Sequence, residues 1–408
     1  MTFIHSTVVV ATLVGAGALG GTAGPQDPSA RTVAAQVSPG PSIVIGHELS
    51  MTSEALGRAI TLDVYVPPSY GTGQGRYPVL YTFQSFFHHV SGIADYLANI
   101  NATPELIVVS VRNYSSSDLS PETLPSNPES GGANRFVRFF AEELLPLVDA
   151  RYRTAPYRLL YSGSFGGGFV VYCALVRPET FNAYLAATPA IDYEGQSTFI
   201  ATHAESWLRR GTFRNRYLFM AVEDDPALAK TMTPFAALLQ RAAPAGLTWE
   251  YRHWPEEDHG TLPHRVVLHG LNRVFDKWRR IPAEAVSTGA AGIRAYAKEL
   301  ADWYGFDIGL SRQALFAAVN EPLRRGDVSA ALGIAEYLVE RHPREEFDHR
   351  LLGRTYESAG RLEEALKAYE RAYALAVENA SPHLDLFRAS LEAIRKKIQL
   401  RDGWHGGA

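Results

Sequence analysis

The chain has 408 residues, 46% of them hydrophobic and 20% charged, with a net charge of −4. That is length enough for a full core and a second domain. A slightly acidic balance with no basic cluster among aromatics argues against a nucleic-acid partner, and the single cysteine, Cys173, excludes an internal disulfide and any cysteine-based zinc site.

The first stretch, Val8 to Val14 running into Gly15-Ala16-Gly17-Ala18-Leu19, has the apolar core of a signal peptide. It is too short to span a membrane, and Gly21-Thr22-Ala23 offers small residues for cleavage. No lysine or arginine precedes Arg31. Residues 1–40 are expected to be a signal peptide and disordered leader, giving a secreted or periplasmic protein with no membrane span once the leader is removed.

From Ile43 the pattern becomes structural. Ile60, Leu62, Val64 and Val66 alternate with Thr61, Asp63 and Tyr65 as a half-buried strand does, and Pro67 to Gly71 ends it in a turn. Val79 to Phe83 and Leu106 to Val111 are apolar on both faces, as central parallel strands are, with a short helix expected over Val90 to Leu97. Phe136, Phe139, Phe140, Leu144 and Leu147 share one face of an amphipathic helix. Further strands follow at Tyr157 to Leu160, Ala183 to Ala187 and Tyr217 to Val222, an edge strand at Trp249 to Trp254, and a closing helix from Val266 to Trp278. Strands alternating with helices predict a mostly parallel sheet covered on both faces. Residues 41–282 form this α/β domain.

The small residues of Ala283 to Gly292 suggest a boundary, and 283–400 is expected to be a helical domain. Gly326 and Ala331 recur as Gly360 and Ala365, one tetratricopeptide period (about 34 residues) further on. The second unit carries Leu352, Gly353, Tyr356, Gly360, Ala365, Tyr369 and Ala372; in the first, Pro322 is expected to interrupt the helix. Two repeats are fewer than a free-standing solenoid needs, so this region is expected to pack on the α/β domain.

The chemistry centres on Tyr161-Ser162-Gly163-Ser164-Phe165-Gly166-Gly167-Gly168, between the strand at Tyr157 and the helix-compatible run Phe169 to Leu175. Strand, tight turn of small residues, helix is the context that lifts a serine above a sheet as a nucleophile. Ser164 is that serine, although Ser162 stands where Gly-x-Ser-x-Gly has its first glycine. Cys173, in the following helix, reads as a small core residue. A nucleophilic serine needs a base, and the base an anion, in the chain order serine, acid, histidine. Asp225 lies in Glu223-Asp224-Asp225-Pro226 after one strand, and His259 in Pro255 to Gly260 after the next. Glu223 and Asp224 share the acid's loop, and only geometry chooses among the three. Among rival bases, His253 lies within a strand and His264 starts a helix. His88 and His89 come too early and are candidates, with Tyr114, for the substrate cleft. Backbone amides of Phe165 and of Ser85 or Phe86 are the candidate oxyanion hole. No cofactor or metal site is indicated, and Asp192 to Arg216, with Trp207 and Phe213, is a candidate lid.

These residues resemble the putative-esterase branch of the α/β-hydrolases, the group holding esterase D and enterobactin-type siderophore esterases. The likeness runs through Arg58 to Tyr70, Tyr77-Pro78-Val79-Leu80-Tyr81, Asp118 to Pro121, Gly131 to Ala133, Glu143 to Pro146, Ser164 to Gly167 and Pro255 to Gly260. It implies an α/β-hydrolase fold with a tetratricopeptide-like tail and a small-molecule ester as substrate. It also implies Ser164 as nucleophile, His259 as base and, by position after its strand, Asp225 as acid, working through an acyl-enzyme. The chain departs from the family at Gln84-Ser85, at Ser162, and at Ser115-Ser116-Ser117 where family members carry arginines, which weakens the case for an anionic siderophore substrate. An acyltransferase with the same triad, and an interaction protein acting through its helical tail, are the alternative readings.

Overall fold

The structure, a computed structural model, describes residues 42–83, 86–192 and 198–405. The leader and Ser85 lie outside the described residues, and every element belongs to one compact unit that starts at Ile45.

The chain opens with β1 (His47–Ser53) and β2 (Arg58–Tyr65), an antiparallel pair. Then come β3 (Tyr77–Phe83), α1 (Phe87–Asn99) and β4 (Ile107–Val111). Helices α2 (Ala133–Arg138) and α3 (Leu145–Arg151) are joined without a break by a π-helical stretch, Phe139–Leu144. The core continues through β5 (Thr154–Gly163), α4 (Phe165–Val176), β6 (Ala183–Ala187), α5 (Phe199–Arg210), β7 (Arg216–Val222), α6 (Pro226–Ala242), β8 (Leu247–His253) and α7 (Leu262–Val274). The eight strands lie in the order β1-β2-β4-β3-β5-β6-β7-β8 and are parallel from β4 onwards. This is the expected α/β-hydrolase architecture.

Burial explains the pattern of residues. All positions of β3, β4 and β6 are buried, because a parallel strand covered by helices on both faces has no wet side. β8 is buried only at Leu247 and half-buried or exposed from Thr248 to His253, as its place at the sheet edge requires. Cys173 is fully buried, and burial pushes its thiol well up, so it behaves as a core residue. Of the candidate lid, residues 193–197 lie outside the described residues, while Trp207 and Phe213 are partly buried against the core; the Trp207 ring meets Tyr172 edge-on at 5.6 Å.

Beyond α8 (Asp276–Arg279) every element is a helix: α9 (Ala283–Ser287), α10 (Gly289–Tyr304), α11 (Arg312–Arg324), α12 (Val328–Arg341), α13 (Glu346–Ser358), α14 (Leu362–Glu378) and α15 (Leu384–His405). Pro322 does not interrupt its helix. It lies in the last turn of α11, where a missing amide costs one hydrogen bond near the helix end. Gly326 and Gly360, at φ of 82° and 74°, make equivalent left-handed turns after α11 and α13, which explains the glycine spacing. Buried Asp348 on α13 accepts from Arg312 on α11 and ties the two helix pairs together. At the end of α10, Tyr304 is 1% exposed, with its ring 4.9 Å from that of Tyr157 on β5 and its hydroxyl donating to Val274 O at 2.9 Å. Tyr304→Ala is expected to lower the unfolding free energy in urea by about 3–5 kcal/mol, and Tyr304→Phe, which loses only the hydroxyl, by about 1 kcal/mol.

Candidate active site

Parallel strands end on one edge of a sheet, so the loops after β5, β6, β7 and β8 are neighbours there. Ser164 follows β5 directly with φ 56° and ψ −129°, a backbone conformation rare for a residue with a side chain. Close contacts on all sides impose it. A Cβ on Gly166 would lie 2.3 Å from Ser162 Oγ and 2.7 Å from Phe83, and one on Gly167 would lie 2.5 Å from Ala187 O. Ser162 is thus tolerated in place of the usual glycine because Gly166 leaves room for its hydroxyl. The Ser164 amide donates to Ala187 O at 2.9 Å, and Ser164 O accepts from the amides of Gly168 and Ala190. The turn has the strand–turn–helix geometry of a nucleophile elbow, with Ser164 half-buried at its tip.

His259 lies in the loop between β8 and α7, and its side chain is 64% exposed. Asp258 shapes this loop: its carboxylate accepts from the amides of Gly260 and Thr261, and its carbonyl accepts from the amide of Leu262. Arg265 pins the preceding segment, standing 4.2 Å over the Trp254 ring and pairing with Glu256 and Glu257.

The acid is where the structure corrects the sequence reading. His259 Nδ1 lies 2.8 Å from Glu223 Oε1, not against Asp225. Asp225 caps α6: its side chain accepts from the amides of Ala227 and Leu228, with Pro226 at the first helical position. The pair Asp225-Pro226 is itself the sequence signature of a helix start, a signal that could have moved the choice to Glu223. Glu223 is 5% exposed, and Asp224 points to solvent. Burial pushes the Glu223 carboxyl up, but hydrogen bonds from His259 and Thr188 outweigh it and hold the group below its usual range. The same bond to Glu223 raises His259, against its partial burial, with smaller help from the charges of Glu223, Asp225 and Asp258.

Thr188, which the sequence reading missed, donates from Oγ1 to Glu223 Oε2 at 2.7 Å. It is 3% exposed, at φ 48° in the turn after β6. A threonine after a strand carries no sequence signal of such a role.

The other candidates divide. Phe165 is the first residue of α4, where a helix presents its amides, and its side chain is 36% exposed. Phe86 packs beside the elbow, 3.7 Å from where a Cβ on Gly163 would stand and 5.5 Å ring to ring from Tyr161. His89 lies next to Phe86 and meets His264 of α7, Nε2 to Nδ1, at 3.0 Å. Tyr114 is half-buried on Phe83, while His88 is exposed at the start of α1 beside Phe87. Among the described residues no group of three or more His, Cys, Asp and Glu is placed to hold a metal ion, and no helix is long and apolar enough to cross a membrane.

Two substitutions separate the acids. Glu223→Gln is expected to lower kcat by ~10²–10⁴-fold with the fold intact. Asp225→Asn, which keeps a capping oxygen, is expected to stay within a few-fold of wild type. Ester hydrolysis and thermal unfolding of both variants check this. If His259 works as a base, activity must fall as it gains a proton. Because its folded value is raised, the acidic limb of the kcat/KM profile is expected to lie above about 6.5, the unperturbed imidazole value.

Comparison with known proteins bears on the family and the fold. Residues 53–229 match the family described as putative esterase, and residues 310–393 match the bacterial transcriptional activator domain, a helical module. The chain is 37% identical over 67 residues to the ferri-bacillibactin esterase BesA of Bacillus subtilis (strain 168), covering 16% of this chain and 23% of that protein. It is 33% identical over 95 residues to a siderophore enterobactin esterase of Emericella nidulans, covering 22% and 29%. The matched stretches thus span under a third of these relatives. Among solved structures, an IroE-like serine hydrolase from Shewanella oneidensis superposes with a TM-score of 0.62 at 24% identity, covering 73% of this chain and 99% of that one. Siderophore hydrolase EstB from Aspergillus nidulans gives 0.51 at 20% identity, over 60% and 98%. Both likenesses concern the fold.

Proposed function

We propose that this chain, whose residues 53–229 match the putative-esterase family, is a carboxylic-ester hydrolase working through an acyl-enzyme on a Ser164–His259–Glu223 triad. The observation that carries the reading is the 2.8 Å bond from His259 Nδ1 to buried Glu223, on the sheet edge that also presents Ser164 at a strained elbow. In this mechanism Ser164 Oγ attacks the ester carbonyl as His259 Nε2 takes its proton. Glu223 fixes the ring with Nε2 turned away from the carboxylate and stabilises the imidazolium that forms. The negative charge on the carbonyl oxygen is met by the Phe165 amide and by a second backbone amide from the loop between β3 and α1, for which Ser85 and Phe86 are the candidates. His259 then returns the proton to the departing alkoxide. Water, deprotonated by the same imidazole, attacks the acyl carbonyl; the bond to Ser164 Oγ breaks, the imidazolium returns the proton to Oγ, and the acid leaves.

For the substrate, relatives named for bacillibactin and enterobactin bring siderophore esters into range. The turn Ser115–Asp118 argues for a neutral ester first. It carries serines where the resemblance calls for arginines, and its Asp118 already holds Arg58. His89 and Tyr114 are assigned to the cleft wall through their neighbours Phe86 and Phe83. The helical region serves as a docked support, which the Tyr304 contacts with Tyr157 and Val274 favour. The apolar leader from Val8 to Leu19 supports export, to the periplasm or beyond.

Hydrolysis of p-nitrophenyl acetate, butyrate and octanoate by wild type and Ser164→Ala tests the proposal. A loss of ~10³-fold or more in the variant is expected. Equal rates would remove Ser164 as nucleophile, and activity that appears only with an added alcohol acceptor would make the enzyme an acyltransferase.

A further inference from the structure

The triad reading names three residues, yet the turn after β6 touches two of its members at once. Ala187 O accepts from the Ser164 amide, the Ala190 amide donates to Ser164 O at 3.3 Å, and between them Thr188 Oγ1 donates to Glu223 Oε2. Buried Pro189 packs against the elbow, its Cα 3.1 Å from where a Cβ on Gly167 would stand. The Thr188 amide donates to Ala221 O at 2.8 Å, extending the β6–β7 pairing one step beyond the strand end. The Thr188 backbone is therefore tied to β7 directly, and its neighbour Ala187 is tied to the elbow after β5.

Its conformation is the unusual feature. A β-branched residue at φ 48° is a genuine outlier, and such strain costs about 1–3 kcal/mol. Glycine or asparagine would relieve it, so packing alone does not account for a threonine. What threonine supplies is a hydroxyl aimed at the one carboxylate oxygen that His259 leaves open. A buried carboxylate with a single partner would bear an unmet desolvation penalty and would be free to rotate away from the imidazole.

Resting on the triad reading, we infer that Thr188 is a positioning residue for the reaction: its hydroxyl locks the Glu223 carboxylate against His259 while its turn holds the Ser164 elbow, so that acid and nucleophile keep one geometry. The groups that face His259 are Glu223 from the end of β7, Asp225 from the start of α6 and Asp258 from its own loop; Glu223 in turn faces Thr188 and His259. Asp225 and Asp258 are fixed by their own caps and turns, so loss of the Thr188 hydroxyl acts on His259 through Glu223.

Thr188→Val keeps the shape, the branching and the strain and removes the hydroxyl; Thr188→Ser keeps the hydroxyl. The test measures kcat and KM for p-nitrophenyl butyrate across pH, the His259 imidazole titration by NMR, and the thermal midpoint, for both variants. Thr188→Val is expected to lose ~10–100-fold in kcat with KM little changed. Both its acidic limb and its NMR titration should move to lower pH, because a loosened Glu223 raises His259 less. Thr188→Ser is expected to stay within about threefold of wild type with the limb in place. A Thr188→Val protein with wild-type kcat and an unmoved His259 titration would overturn the inference, as would equal losses in both variants. Activity that survives Ser164→Ala would instead overturn the triad reading, whatever Thr188 does.

Discussion

The reactive edge depends on how closely α4 approaches the end of β6. Gly166 and Gly167 bring the helix so near that the carbonyl of Ala187 and the hydroxyl of Ser162 occupy the space where side chains would be. With the helix held there, the chain between β5 and α4 has one path left, and it runs through a positive φ at Ser164. Strain of about 1–3 kcal/mol is small beside the apolar surface that β5, α4 and β6 bury together. The hydrogen bonds linking Ser164 to Ala187, Gly168 and Ala190 fix the direction in which the strained residue points. The strained turn at Ser164 is thus a consequence of core packing, and its geometry is as firm as the core.

From that edge the other groups follow by topology. Because β5, β6, β7 and β8 are consecutive and parallel, residues just past each strand end stand side by side, although they are far apart in the chain. Two of them need little help from loops. Glu223 comes directly after Val222, whose carbonyl accepts from the Trp254 amide, and Thr188 comes directly after Ala187. Only His259 sits well out in a loop, and that loop is stiffened by the Asp258 turn and by Arg265 stacked on Trp254. An exposed imidazole on a stiff loop can reach both substrate and solvent, as a group that shuttles protons must.

What could be read from the sequence follows the range of the forces involved. Strand runs and the elbow glycines are local, and each strand of the parallel core falls where its apolar run predicts. Local rules failed where a feature had two physical uses. An acidic loop after a strand offers both a helix cap and a triad acid, and Asp225 was given the second role when Pro226 beside it marks the first. Pro322 looked like a break because a proline in mid-helix is one, yet in a last turn it removes a single bond. Thr188 was invisible: its role comes from the juxtaposition of β6 with β7, which no window of sequence around residue 188 contains.

The pairing of His259 with Glu223 has a physical logic of its own. An aspartate two residues into the loop would reach His259 from a segment whose backbone must also start α6. Glu223 sits directly past the strand end, next to Val222 whose carbonyl still accepts from the Trp254 amide, and its extra methylene spans sideways from there. One carboxylate oxygen can then meet His259 from the β8 side and the other Thr188 from the β6 side. Burial makes the charge costly, and the two hydrogen bonds more than offset that cost, since the group is held below its ordinary range in spite of it. A buried, doubly bonded carboxylate exerts a stronger and more directional pull on an imidazole than a solvated one, because water no longer screens it. The longer side chain next to the strand end therefore reaches His259 and Thr188 together, and Asp225 is left to cap α6.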